Sequence, residues 1–96
     1  MQIRWSPDAA ADLGVIVDYI RQDNPDAAQR VAQSIYDRVD VLRNFPYGGR
    51  LGRVAGTREL PLPPLPFIVV YRVLDNAAAA EIVNVIHGAQ RWPPEG

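Results

Sequence analysis

Pro66-Phe67-Ile68-Val69-Val70-Tyr71-Arg72-Val73 is the stretch whose reading decides the fold of this chain. It is rich in β-branched and aromatic residues, apolar on both alternating faces and followed by Asp75-Asn76, so it reads as the central strand of a sheet. Beyond the turn, residues 81–87 (Glu-Ile-Val-Asn-Val-Ile-His) read as a second strand. Before it, residues 58–63 are extended, with prolines at alternate positions, Pro61 and Pro63. Those prolines remove N–H groups that point the same way, so this strand is expected to pair on one side only and to form a sheet edge.

Working back to the start, Gln2-Ile3-Arg4-Trp5 reads as a short strand, and Ser6-Pro7-Asp8 as a helix start. Serine suits the N-cap, proline the first helical position, and an acid in the first turn faces the positive end of the dipole. The same grammar recurs at Asn24-Pro25-Asp26, which bounds a first helix to about residues 7–22. Its inward stripe is Ala9, Leu13, Ile16, Val17 and Ile20, and Gly14 within it is expected to permit close approach of another backbone. A second helix is expected over residues 25–44, burying Ala28, Val31, Ala32, Ile35, Val39 and Leu42. The short connection forces an antiparallel helical hairpin. Residues 45–57 hold four glycines and a proline and read as an exposed, mobile loop. Residues 88–96 read as an irregular tail, because Pro93 and Pro94 oppose a helix. The order is β-α-α-β-β-β, a helical hairpin packed on a mainly antiparallel small sheet: an α+β fold in a single domain, residues 1–96.

Composition narrows the function. A chain of 96 residues supports one core and no elaborate enclosed site. No apolar run approaches the roughly 20 residues of a membrane span. Without cysteine there are no disulfides, thiolate metal sites or thiol nucleophile, which suits a cytoplasmic protein, and no charged-then-apolar leader is expected before the first strand. Net charge is −1, all ten basic residues are arginine, and Arg43, Arg50, Arg53 and Arg58 lie in a stretch with no acid from Val41 to Arg58. This is a local basic patch on a mildly acidic protein, which disfavours strong electrostatic capture of nucleic acid. An acidic protein segment is easily accommodated.

Few side chains suggest chemistry. His87, the sole histidine, ends the last strand and on simple alternation shares a face with Val83 and Val85, within reach of Tyr71 or Arg72. It could act as a base for RNA cleavage by 2′-hydroxyl attack, with Arg58, Arg72 or Arg91 stabilising the phosphorane and Tyr71 as proton partner. Alternatively it caps the strand and donates to a backbone carbonyl. Arg50 and Arg53 could hold phosphates, although their glycine spacing matches neither nucleotide-binding fingerprint, or could be solvated. Trp92 could stack on a partner or fold back over the sheet edge. No carboxylate pair, metal-ligand spacing or cofactor motif can be assembled, so no metal or cofactor is expected.

The order of motifs adds a resemblance. Ile3-Arg4-Trp5-Ser6-Pro7, Asn24-Pro25-Asp26-Ala27-Ala28, Gly49-Arg50-Leu51-Gly52-Arg53, Gly56-Thr57-Arg58-Glu59-Leu60, Tyr71-Arg72-Val73 and His87-Gly88-Ala89-Gln90-Arg91-Trp92-Pro93 together resemble the RelE/ParE toxin superfamily over nearly the whole chain. The resemblance implies a cytoplasmic toxin of a type II toxin-antitoxin system, of the kind that includes plasmid-stabilisation modules. Its partner would be a cognate ParD- or RelB-like antitoxin in a hetero-oligomeric complex. RelE-like members are ribosome-dependent mRNA endoribonucleases that use basic residues on the sheet and tail. Here Glu59 and Pro61 stand on the edge strand where that branch is basic, Ile68 replaces an arginine, and Ala89 replaces a tail arginine. The chain looks more like the ParE branch, whose members poison DNA gyrase and are not themselves enzymes.

On this reading Arg58, Arg72, His87, Arg91 and Trp92 form the target-binding face. The ribonuclease alternative would use His87, Arg58, Arg91 and Tyr71. Leu13, Val17, Tyr19, Ile35 and Tyr36 cannot all face one core and are expected to line grooves that bed an antitoxin segment folding on binding.

Overall fold

The computed structural model describes residues 1–95. Strand β1 (Gln2–Trp5) leads into helix α1 (Pro7–Asp23), and α2 (Pro25–Asp40) follows after the single residue Asn24. The cap grammar of the sequence is realised atom by atom. Ser6 Oγ accepts from the Ala9 N–H at 3.0 Å and Asn24 Oδ1 from the Ala27 N–H at 3.0 Å. Asn24 also closes α1, its own N–H donating to the Ile20 carbonyl at 2.9 Å. A one-residue link leaves the helices no arrangement but an antiparallel pair. The expected last turn of α2 tightens into a separate 3₁₀ turn, Val41–Arg43.

The sheet has five strands in the order β1-β5-β4-β3-β2. The central strand β4 (Phe67–Leu74) lies antiparallel between β3 (Arg58–Pro61) and β5 (Ala79–His87), and β1 pairs parallel with β5. The architecture is the expected α+β one with a strand added. That strand, β2 (Arg50–Leu51), lies inside the segment read as a mobile loop and pairs with β3 as Arg50↔Glu59 and Leu51↔Arg58. So β3 is not an edge over its first half. Only the proline-bearing end, past the reach of β2, lacks an outer neighbour.

Helices cover one face of the sheet, where Val69, Tyr71, Ile82 and Val85 meet Ala9, Leu13, Ile35, Val39 and Leu42. On the opposite face Ile68, Val70 and Ile86 form a smaller cluster with Val83 and Trp92 packed on it. This double burial explains why β4 is continuously apolar from Phe67 to Tyr71 rather than alternating.

A register shift at Val70/Tyr71 disturbs the pairing of β4 with β5, so that Asn84 pairs with Val70 but Ile82 with Tyr71. The extra residue is Val83. It therefore packs with Ile86 and Trp92 on the face opposite Val85, correcting the expectation that Val83, Val85 and His87 share one face. Gly14 serves no close approach: nothing lies within 4 Å of where its Cβ would stand.

Where β5 runs past the end of β1, α1 covers its open edge. Ser6 Oγ donates to the Val83 carbonyl at 3.1 Å, and Asp12 accepts from the Val85 N–H and from the Asn84 side chain, each at 3.0 Å. These bonds anchor the start of α1 to the sheet.

Candidate functional site

The residues proposed for RNA cleavage do not come together. His87 is opposite Phe67, and Tyr71 lies four residues farther along β4, about 13 Å at a strand's rise per residue. His87 is exposed at the end of β5, its ring edge-on to Phe67 with centroids 5.9 Å apart. Its Nδ1 accepts from the Ala89 N–H at 3.0 Å, rather than donating to a carbonyl. Tyr71 is fully buried. Its hydroxyl donates to the Pro46 carbonyl at 2.8 Å and accepts from the Gly49 N–H at 2.9 Å. Burial pushes its phenol up from the ordinary range, the opposite of what proton donation at neutral pH requires. Arg91 sits on the tail in an exposed ion pair with Glu95 at 3.0 Å.

The predicted target-binding face is divided as well. Arg58 pairs across β3 and β4 with Tyr71, so it shares Tyr71's side of the sheet, while Arg72, the next residue, points the other way. Arg58 is occupied internally: it donates to the Gly49 carbonyl at 2.8 Å and lies over the Tyr47 ring, 5.0 Å from its centroid. Tyr47 in turn donates to Asp75 at 2.9 Å, and that bond holds its phenol above the ordinary range. Trp92 folds back, as one expectation had it, but covers the open face of the sheet and not its edge. Its Nε1 is buried without a hydrogen-bond partner among the described residues. Arg72 is exposed and lines a shallow depression of about 300 Å³ with Ser6, Asp8, Thr57, Asn84 and Trp92.

Arg50 and Arg53 are about half-exposed yet tethered, rather than simply solvated. Both reach back to Glu59, which is 1% exposed. Arg53 contributes its backbone N–H at 2.9 Å, Nε at 3.2 Å and Nη2 at 3.0 Å, and Arg50 adds Nη2 at 3.2 Å. The Arg53 side chain, followed by its backbone N–H and Arg50, holds the carboxyl at about 2 against the cost of its burial. In the sequence Glu59 stands out only as an acid on the expected edge strand, where a base would suit nuclease action. Its spacing from Arg50 and Arg53 was visible, but the turn that brings them together was not.

Of the five residues expected to bed an antitoxin, two are interior. Leu13 and Ile35 are 6% and 0% exposed, because both lie on the stripe that packs against the sheet, so neither is open to a partner docked on the folded chain. Val17 is partly buried against the same core. Tyr36 is exposed beside Trp5, with ring centroids 5.2 Å apart. Tyr19 is 73% exposed and lines an apolar groove of about 500 Å³. Val15, Ile16, Ile20 and Val31 form its helical wall, and Leu65, Pro66, Phe67 and His87 form the other. Val15 was missed because it lies outside the inward stripe. An exposed valine next to an exposed tyrosine on one helix was the available signal.

No group of acids and histidines able to hold a metal ion occurs among the described residues. The arrangement offers apolar grooves and fixed arginines, which is the chemistry of protein recognition.

Comparison with known proteins identifies a family. Residues 3–92 match the family described as the ParE toxin of the type II toxin-antitoxin system parDE. The chain is 44% identical to the Y4kP protein of Sinorhizobium fredii over 92 residues, covering 96% of this chain and 93% of that one. It is 40% identical to toxin RelE2 of Caulobacter vibrioides over 89 residues, covering 93% and 97%. Among solved structures it superposes on a chain of the chromosomal ParDE system of P. aeruginosa with a TM-score of 0.81 at 30% identity, covering 91% of this chain and 95% of that one.

Proposed function

This chain belongs to the ParE toxin family of type II toxin-antitoxin systems, and we propose that it arrests growth by binding a protein target, DNA gyrase, rather than by catalysis. The observation that carries this reading is the separation of the would-be catalytic groups. His87 lies about 13 Å along the sheet from Tyr71, and Tyr71 and Arg58 are both committed to internal hydrogen bonds. A general base must reach the proton it removes, and the phosphate it serves must meet a cation at the same point.

Control would come from a cognate antitoxin whose segment folds on binding into the groove lined by Val15, Tyr19, Ile20 and Phe67. An apolar trough beside a helix suits the alternate side chains of an amphipathic partner helix. The solved relative from P. aeruginosa is itself described as a ParDE toxin-antitoxin system, which supports a partner of that kind.

The likeness to toxin RelE2 keeps ribosome-dependent mRNA cleavage as the alternative. The purified chain should inhibit gyrase supercoiling or trap gyrase cleavage complexes, and should leave mRNA intact in a translation-coupled assay. Cleaved mRNA with unaffected gyrase would reverse the assignment.

A further inference from the structure

The segment from Phe45 to Arg53 is the part of the chain that the folded core leaves most apolar side chain on. Phe45, Tyr47 and Leu51 are 66%, 55% and 78% exposed. Yet this segment is not slack. The buried Tyr71 hydroxyl ties Pro46 to Gly49, and a Cβ at Gly49 would come within 2.7 Å of that same tyrosine. The Gly52 N–H donates to the Thr57 carbonyl at 2.8 Å, and Arg53 is fastened to Glu59 by three bonds. A fixed conformation has already lost the entropy that a mobile loop would lose on binding.

Its charge is arranged by depth. Glu59 is the anion and is buried, while the Arg50 and Arg53 side chains that hold it are 57% and 44% exposed. Arg58 adds a third guanidinium bonded only to carbonyls and stacked on Tyr47. Against these three arginines stand two carboxylates, Glu59 and Asp75, so the outward surface carries an excess positive charge. Arg50 uses one nitrogen on Glu59 and keeps donors to spare. β2 is also the last strand of the sheet on its side, so its outer backbone groups meet no further strand.

We propose that β2 and the flanking residues 45–53 are the target-contacting surface of this toxin, receiving an extended, acidic segment of the target protein along the outer edge of β2. Leu51, Phe45 and Tyr47 provide the apolar contact, and Arg50 and Arg53 bind its carboxylates. Exposed aromatic and arginine side chains on a rigid frame are the composition of interface hot spots. A nucleic acid would match the arginines but leave Leu51 and Phe45 against water, which is why an acidic protein segment is favoured. This surface lies at the Tyr71 end of β3 and β4, whereas the apolar groove lies at the Phe67 and His87 end. Target and antitoxin would therefore meet different residues. The inference rests on the reading of the chain as a protein-directed toxin.

The test uses the full chain with Leu51→Ala, which removes an exposed side chain, and Arg50→Gln, which leaves all three Arg53 bonds to Glu59. Growth arrest on expression, affinity for purified DNA gyrase, affinity for the antitoxin encoded beside the gene, and affinity for an RNA duplex are measured together. Each substitution is expected to weaken gyrase binding and growth arrest about tenfold and to leave antitoxin binding within about twofold. If the wild-type chain does not bind gyrase but both variants still lose growth arrest, gyrase is the wrong target and the surface assignment stands. The proposal is overturned if growth arrest survives both substitutions, or if Leu51→Ala weakens the antitoxin complex as much as it weakens arrest. It is equally overturned if the chain binds the duplex through Arg50 while Leu51→Ala has no effect.

Discussion

Arg53 grips Glu59 through both carboxylate oxygens, with Nη2 at 3.0 Å from one oxygen and Nε at 3.2 Å and the backbone N–H at 2.9 Å from the other. A buried carboxylate without such partners would be costly, so the pair fixes the turn between β2 and β3 in one conformation.

Acid should loosen this turn. The carboxyl is held at about 2 in the folded chain against an ordinary 4.5, so its stabilising effect is complete above pH 4.5 and disappears as the pH falls towards 2. By linkage the difference corresponds to about 3 kcal/mol. Glu59→Gln should lower stability at pH 7 by an amount of that order and flatten its decline between pH 4.5 and 2, read by urea denaturation across pH. An unchanged acid profile in the variant would show that Glu59 does not control it.

Tyr71→Phe should cost about 1 to 3 kcal/mol, because it leaves the Gly49 N–H and the Pro46 carbonyl without their partner. Hydrogen exchange at Gly49 should quicken while the helices keep their protection. In the wild type, the raised phenol implies stability that is complete below pH 10 and falls as the unfolded tyrosine ionises above it.

Trp92 should respond differently to two substitutions. Trp92→Ala uncovers Ile68, Val70 and Ile86 and should destabilise by about 2 kcal/mol, less than for a fully interior tryptophan. Trp92→Phe keeps most of the contact and removes the unpartnered Nε1 donor, so it should be close to neutral. Equal losses in thermal melts would mean that the indole N–H is in fact satisfied.

His87→Ala should leave growth arrest intact, since the ring lies far from Tyr71 and Arg58 and packs edge-on to Phe67 with its Nδ1 taken by the Ala89 N–H. Loss of toxicity with unchanged gyrase binding would favour the nuclease reading.

Tyr19→Ala should weaken the antitoxin complex by about tenfold without altering the fold, because the ring is 73% exposed on the groove wall. Calorimetric titration with the antitoxin measures this directly.

The two helix starts were legible because an N-cap is a contract among residues a few positions apart: Ser6 with Ala9, Asn24 with Ala27. The strand at Phe67–Leu74 was legible because burial on both faces demands a continuous apolar run, here Phe67 to Tyr71. Where a side chain ends up depends instead on pairing between distant strands. The extra residue at Val83 turned one face of β5 over, and the register of β3 placed Arg58 on the opposite side from Arg72. Two of the glycines read as slackness in residues 45–57, Gly49 and Gly52, are there because Tyr71 and Thr57 pack where a side chain would stand. Local hydrogen bonding and hydrophobic period thus determined from sequence alone that this is a helical hairpin on a small sheet. Which arginines are committed inward, which are exposed, and whether a histidine meets a tyrosine were decided only by tertiary structure, because a one-residue change in register reverses the face of every side chain beyond it.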